Sequence, residues 1–200
     1  MQRRIIFLPG ASGLGSFWEP VARLLPDSAE KVFLDWPGLG TNPDDPGISD
    51  YAGLVDLVLR HIERPVDVVA QSLGGIVALH LALAKPELVE RMVLVSTPGG
   101  IDFSQFGIED WRVKLASAQP NVPGWVVEER GDLSSRLRLV DIPILLIWGE
   151  SDQTTPLAVG RRLCELLPRG EIVVLRGAGH THARDNPDGV VQYIVGHLGL

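Results

Sequence analysis

Val66-Asp67-Val68-Val69-Ala70-Gln71-Ser72-Leu73-Gly74-Gly75-Ile76-Val77-Ala78-Leu79-His80 reads as a short apolar strand, an abrupt turn at Ser72 and a helix. Val66, Val68 and Val69 are β-branched and sit between Pro65 and the Gly74-Gly75 pair, which bounds a strand on both sides. From Ile76 onward the apolar residues Ile76, Val77, Leu79, Leu81 and Leu83, with Ala78, Ala82 and Ala84 among them, fall at helical spacing. A turn this sharp forces Ser72 into a strained conformation and brings neighbouring backbones nearly into contact. Ala70 and Gly74 leave the space it needs. The helix start at Leu73 then directs free backbone N–H groups toward any anion forming beside Ser72.

With small residues two before and two after Ser72, the stretch resembles the nucleophile elbow of the alpha/beta hydrolases, small-x-Ser-x-small. Ala70 stands where that family usually has glycine. The resemblance extends over most of the chain, and it implies that Ser72 is a nucleophile.

Composition bounds the rest. Two hundred residues predict one domain, residues 1–200, with room for a small insertion. A hydrophobic fraction of 45% and a charged fraction of 22% are those of a globular chain. The net charge of -7 argues against nucleic acid and anionic membranes as partners, and the basic residues form no run. The single cysteine, Cys164, excludes an internal disulfide and fits a reducing, cytoplasmic setting; its place in a helical pattern reads as packing. The start Met1-Gln2-Arg3-Arg4 followed by Ile5-Ile6-Phe7-Leu8 resembles a leader only faintly, because the apolar run stops at Pro9-Gly10. No stretch approaches the ~18 apolar residues of a membrane span.

In order, the strands are expected at residues 4–8, 31–34, 66–71, 91–95, 144–148 and 171–175, and the helices at 17–25, 51–62, 73–84, 157–167 and 187–198. Ser16 is a candidate cap for the first helix. The glycine-rich loop Pro9 to Gly15 satisfies neither G-x-G-x-x-G nor G-x-x-x-x-G-K-[ST], which removes a nucleotide site. Asp35-Trp36-Pro37-Gly38-Leu39-Gly40 is similar to a loop of the same family and reads as a turn without chemistry. Strict alternation of strand and helix predicts an α/β, doubly wound sheet of six mainly parallel strands in order 2-1-3-4-5-6, with helices on both faces. Relatives usually begin with two further strands, which this chain has no residues to form. Residues 101–139 fit no strand, and the resemblance places a short helical cap insertion there. Trp111 and Trp125 within it either line a substrate pocket or pack the cap onto the core.

Three chemically distinct residues follow three different strands: Ser72, Asp152 and His180. Their order along the chain is the one the hydrolase resemblance requires. It assigns Ser72 as nucleophile, His180 as general base and then acid, and Asp152 as the carboxylate that orients the imidazole. It also assigns the backbone N–H groups of Ala11 and Leu73 as the oxyanion hole. His180 is preferred over His182 because Gly177-Ala178-Gly179-His180 matches the family's usual approach to its histidine. Asp152 is preferred over Asp102, which follows the strand after the elbow. Glu150, Asp185 and Asp188 read as solvated or capping, His182 as surface or supporting, and His61, His80 and His197 as structural. No cluster has metal-ligand spacing, so neither metal nor cofactor is expected. The resulting expectation is a serine hydrolase acting on an uncharged or apolar acyl ester or thioester, a small-molecule substrate. C–C bond hydrolysis on the same triad, or a non-catalytic binding protein on the same fold, are the alternatives.

Overall fold

The computed structural model describes residues 2–129 and 131–200. Six strands, β1 (Arg4–Leu8), β2 (Glu30–Phe33), β3 (Val66–Gln71), β4 (Val89–Val95), β5 (Ile144–Gly149) and β6 (Gly170–Leu175), form one sheet in the order β2-β1-β3-β4-β5-β6. Every neighbouring pair is parallel. All strands therefore end on the same side, and β3 and β4, at the centre, run through the most buried part of the sheet.

Alternation along each strand divides the core into two layers. Ile6 and Leu8, Val68 and Ala70, Met92 and Leu94, and Ile144, Leu146 and Trp148 face the layer formed with α2 (Tyr51–Leu59), α3 (Leu73–Ala84) and α6 (Leu157–Leu166). Ile5 and Phe7, Val69, Val93 and Val95, and Leu145 and Ile147 face the opposite layer, against α1 (Glu19–Ala22) and α8 (Asp188–Leu198). Two-residue alternation with both faces apolar is why the central strands read as continuous hydrophobic runs. The helix after the elbow is buried from Leu73 through Leu79, so it presents no polar face.

The first helix is shorter than its apolar pattern implies. A 3-10 turn over Gly15–Trp18 passes into the single turn of α1, because Pro20 has no N–H to continue the helical ladder. Ser16 does not cap it. The Asp35 carboxylate, at the end of β2, accepts from the Gly15 N–H at 2.7 Å instead. Residues 101–139 contain α4 (Trp111–Ala118) and α5 (Gly124–Glu128), with 3-10 turns at Ser104–Phe106 and Leu137–Leu139. A one-turn helix, α7 (His182–Asp185), precedes α8 and was not expected from the sequence. Among the described residues no helix is long and apolar enough to cross a membrane.

The close approach at the elbow has a measurable consequence. A Cβ placed on Gly74 lies 2.5 Å from the Pro9 carbonyl oxygen and 2.7 Å from that of Leu8. Both neighbours are main-chain atoms at the end of β1, so neither can swing aside. Gly74→Ala is expected to destabilise the protein by about 1–3 kcal/mol, a fall of several degrees in Tm. Gly196→Ala, in α8 with nothing within 4 Å of the new methyl, is expected to hold or raise Tm. Equal midpoints for the two variants, by calorimetry, contradict this account.

Candidate active site

Ser72 sits between β3 and α3 with φ 51° and ψ -119°, a region that L-residues avoid. Its main chain is clamped on both sides. The Ser72 N–H donates to the Val95 carbonyl at 3.0 Å, and its carbonyl accepts from the Thr97 hydroxyl at 2.6 Å and the Gly75 N–H at 2.9 Å. These bonds hold the strained turn. Among the described residues, neither the Leu73 N–H nor the Ala11 N–H meets an acceptor. Ala11 lies in the loop after β1, whose carbonyls are fixed from two sides: the Trp18 indole donates to Leu8 at 2.9 Å and the Trp36 indole to Pro9 at 2.7 Å. The loop around Trp36, which reads as a mere turn, is thus a brace for the Ala11 segment.

Asp152 and His180 meet at the ends of β5 and β6. Nδ1 of His180 lies 2.9 Å from Asp152 Oδ2. The other carboxylate oxygen accepts from the Thr154 and Thr155 N–H groups at 2.8 and 2.9 Å. The Thr155 hydroxyl lies 2.9 Å from Asp152 Oδ2 and 3.1 Å from the carbonyl of Ser96, a second residue at positive φ. Burial pushes the Asp152 carboxyl up, but the hydrogen bond and charge of His180, with the Thr155 N–H, outweigh it and hold it below the ordinary value. The carboxylate therefore stays ionised and accepts from Nδ1–H, which leaves Nε2 of His180 as the proton acceptor.

Ser72, Gln71 and His180 all line one cavity of about 290 Å³. At Nε2 of His180 the hydrogen-bond partner is the Gln71 side-chain amide, not the serine hydroxyl. Gln71 Nε2 is 3.1 Å from His180 Nε2 and 3.4 Å from the His180 carbonyl. Gln71 was not singled out from the sequence; its place directly before Ser72, at the end of a buried strand, was the available signal. Trp111 lines the cavity, as one of the two tryptophan readings had it. Trp125 does not. It packs edge-on against Tyr51, with ring centroids 5.7 Å apart, and joins the cap to the core. On α4, residues 111, 114, 115 and 118 lie at helical spacing and, with Gln119 that follows the helix, form the roof. Gln119 donates to the Ala11 carbonyl at 3.1 Å and Lys114 to the Gln153 carbonyl at 3.2 Å, so the roof is tied to both the loop after β1 and the loop that carries Asp152.

The rivals lie elsewhere. Asp102 is exposed, and its carboxylate accepts from the Ser104 N–H and hydroxyl. Glu150 accepts from the Gly177 N–H, and Asp185 from the Thr181 hydroxyl. Asp188 opens α8. His80 stacks on Tyr51, while His61 follows α2 and His197 sits in the last turn of α8. His182 is not a surface residue: it is buried, and its Nδ1–H donates to the Gly179 carbonyl at 2.8 Å, which fixes the loop carrying His180.

Burial also pushes the His182 imidazole below its ordinary value, ahead of the opposing pull of the Gly179 carbonyl and Asp152. Burial lowers His80 and His197 in the same way. Each folded-state value lies below the unfolded one, near 6.5, so the unfolded chain takes up protons the folded chain refuses. The stability these groups contribute is complete above that value and is lost as pH falls. Tm is expected to drop between pH 7 and 5.5, with a shallower drop in His182→Gln. A flat profile in the wild-type protein is the contrary result.

A model of the Alpha/beta hydrolase family matches residues 5–135. The chain belongs to that family. A second family model, TAP-like protein, matches residues 111–198. This alpha/beta hydrolase is 26% identical to the uncharacterized hydrolase YugF of Bacillus subtilis (strain 168), over 87% of this chain and 82% of that protein. It is 25% identical to the pimeloyl-[acyl-carrier protein] methyl ester esterase of Nitrosomonas europaea, over 94% of this chain and 92% of that protein. Among solved structures, the meta-cleavage product hydrolase of Pseudomonas fluorescens IP01 has the same fold, with a TM-score of 0.78 and 21% identity over 98% of this chain and 90% of that one. These relatives are hydrolases.

Proposed function

We propose that the protein is a serine hydrolase that cleaves a carboxylic ester or thioester through an acyl-enzyme on Ser72. The observation that carries this reading is the Asp152–His180 contact of 2.9 Å, whose histidine shares one cavity with a serine clamped at a strained helix N-terminus. A serine hydroxyl is a weak nucleophile until a base takes its proton. Here Asp152, ionised and anchored by two N–H groups, holds Nδ1–H, so Nε2 is free to act as that base. Gln71 must first release Nε2, because its amide lies 3.1 Å from that nitrogen and engages the lone pair that the serine proton needs.

The reaction then runs in two halves. Ser72 Oγ attacks the carbonyl carbon as Nε2 takes the hydroxyl proton, and the carbonyl oxygen becomes an oxyanion between the Leu73 and Ala11 N–H groups. Each such donor contributes about 3–4 kcal/mol to lowering the barrier. The imidazolium gives its proton to the leaving alcohol or thiol. Water, deprotonated by the same nitrogen, cleaves the acyl-enzyme and restores Ser72. The small-molecule substrate presents an acyl chain to Trp111, Leu115 and Ala118 of α4. The name of the Nitrosomonas relative, a methyl ester esterase, supports ester chemistry.

The test is hydrolysis of 4-nitrophenyl esters of increasing acyl length, with mass-spectrometric mapping of a fluorophosphonate adduct. Turnover with a length optimum and a single adduct on Ser72 are expected. A folded protein that turns over no ester and takes no label on Ser72 overturns the reading, and turnover of a vinylogous diketone in preference to every ester replaces it with C–C bond hydrolysis.

A further inference from the structure

The cavity over Ser72 is apolar on its roof and walls and cationic at its rim. Phe17, Trp111 and Leu115 supply the apolar surface, and Lys114 of α4 and Arg184 of α7 supply the charge. Among the described residues no carboxylate lines it, in a chain that carries seven more acidic than basic residues. A local excess of positive charge against the sign of the whole molecule is the pattern of a site that draws in an anion.

The two cations are not equivalent. Arg184 Nε donates to Asp185 at 3.0 Å, and its guanidinium lies 5.9 Å from the Phe17 ring, so its charge is already matched. Lys114 donates to a neutral main-chain carbonyl, that of Gln153, and among the described residues no carboxylate lies within ion-pairing distance of its ammonium. The rim therefore keeps one uncompensated positive charge, with further guanidinium N–H groups of Arg184 beside it. One charge calls for a monoanion, a carboxylate rather than a phosphate dianion. Lys114 has two more N–H donors to offer while its bond to Gln153 persists.

We propose that the substrate of this site is an ester bearing one free carboxylate, an apolar chain that ends in an acid, received by Lys114 with Arg184 as second donor. This rests on the reading of Ser72 as nucleophile, and it replaces the uncharged acyl group expected from the sequence. Lys114 lies one helical turn from Trp111, so a chain lying along α4 from Ser72 reaches it without leaving the apolar wall.

The experiment compares matched pairs: 4-nitrophenyl hydrogen adipate against 4-nitrophenyl hexanoate for a carboxylate on the acyl side, and 4-carboxyphenyl hexanoate against phenyl hexanoate for one on the leaving group. In the wild-type protein one acid-bearing ester is expected to have the higher kcat/KM of its pair, mainly through KM. That preference is expected to shrink about fivefold in Lys114→Met, to reverse in Lys114→Glu, and to shrink as ionic strength rises. Failure of the nucleophile reading shows differently, as the absence of Ser72-dependent turnover in every pair. In that event, calorimetric titration of the Ser72→Ala protein with monomethyl adipate against methyl hexanoate decides the carboxylate site alone, tighter binding of the half ester being the supporting result. Neutral esters preferred in both pairs, or a preference that survives Lys114→Glu, overturns the proposal.

Discussion

Ser72→Ala is expected to lower kcat for ester hydrolysis on the order of 10⁶-fold while leaving the fold in place. The size follows from what the substitution removes. Without Oγ no acyl-enzyme forms, and His180 and Asp152 have no proton to move in the first half-reaction. What survives is orientation in the cavity and the two free N–H groups at Leu73 and Ala11, which keep a residual rate above that of water. The fold survives because every bond that holds Ser72 in the elbow is made to its main chain. Thr97 and Gly75 donate to the Ser72 carbonyl, Val95 accepts from its N–H, and the hydroxyl itself makes no hydrogen bond among the described residues. Ser72→Gly separates the two properties further. It abolishes activity equally, but at φ 51° and ψ -119° glycine carries none of the steric cost that serine does, so Tm is expected to equal or exceed that of the alanine variant. A lower Tm for glycine than for alanine contradicts a strained elbow, and an alanine variant with more than a few per cent of wild-type kcat contradicts Ser72 as nucleophile.

The strand order and the elbow were legible in the sequence because both depend on local signals. Apolar strands alternate with helical patterns from Arg4 to Leu198, and parallel pairing with crossover helices leaves few ways to connect them. Ser72, Asp152 and His180 each follow a strand, so a parallel sheet puts all three at one end before any distance is known. The supports were not legible, because each joins residues far apart in the chain. Ser96 turns its carbonyl toward Thr155, which in turn holds Asp152, across 59 positions; no period or motif encodes that contact. Gln71 reaches His180 across 109 positions. Trp111 and Trp125 were indistinguishable by composition, since both sit among mixed residues between glycines and prolines. What separates them is the face of the helix each occupies: α4 lies over the cavity, while Trp125 of α5 turns to Tyr51. The break at α1 was the reverse case. Pro20 stood in the sequence, but the apolar pattern from Phe17 to Leu25 outweighed it until the missing N–H shortened the helix.

Asp152→Asn is expected to lower kcat on the order of 10⁴-fold with Tm nearly unchanged, and the direction is fixed by the bonds around the carboxylate. Oδ1 accepts from the N–H groups of Thr154 and Thr155, a pair that only an oxygen can satisfy. An asparagine in this position must keep its oxygen there and turn its NH₂ toward His180. The imidazole then faces a donor at Nδ1, and it answers by placing its proton on Nε2. That tautomer cannot accept from Ser72, so the nucleophile loses its base although every heavy atom remains in place. The same tautomer turns an N–H toward the Gln71 amide, and the contact persists only if that amide presents Oε1 in place of Nε2. Fluorophosphonate labelling of Ser72 is expected to slow in parallel with ester turnover, because both begin with the same deprotonation. Asp152→Ala tests the geometry instead: it frees the ring and leaves the Thr154 and Thr155 N–H groups without an acceptor, so it is expected to lower Tm as well as kcat. An asparagine variant that keeps wild-type labelling and turnover assigns the orienting role to another group. Thr155, whose hydroxyl lies 3.3 Å from His180 Nδ1, is the one in place to take it.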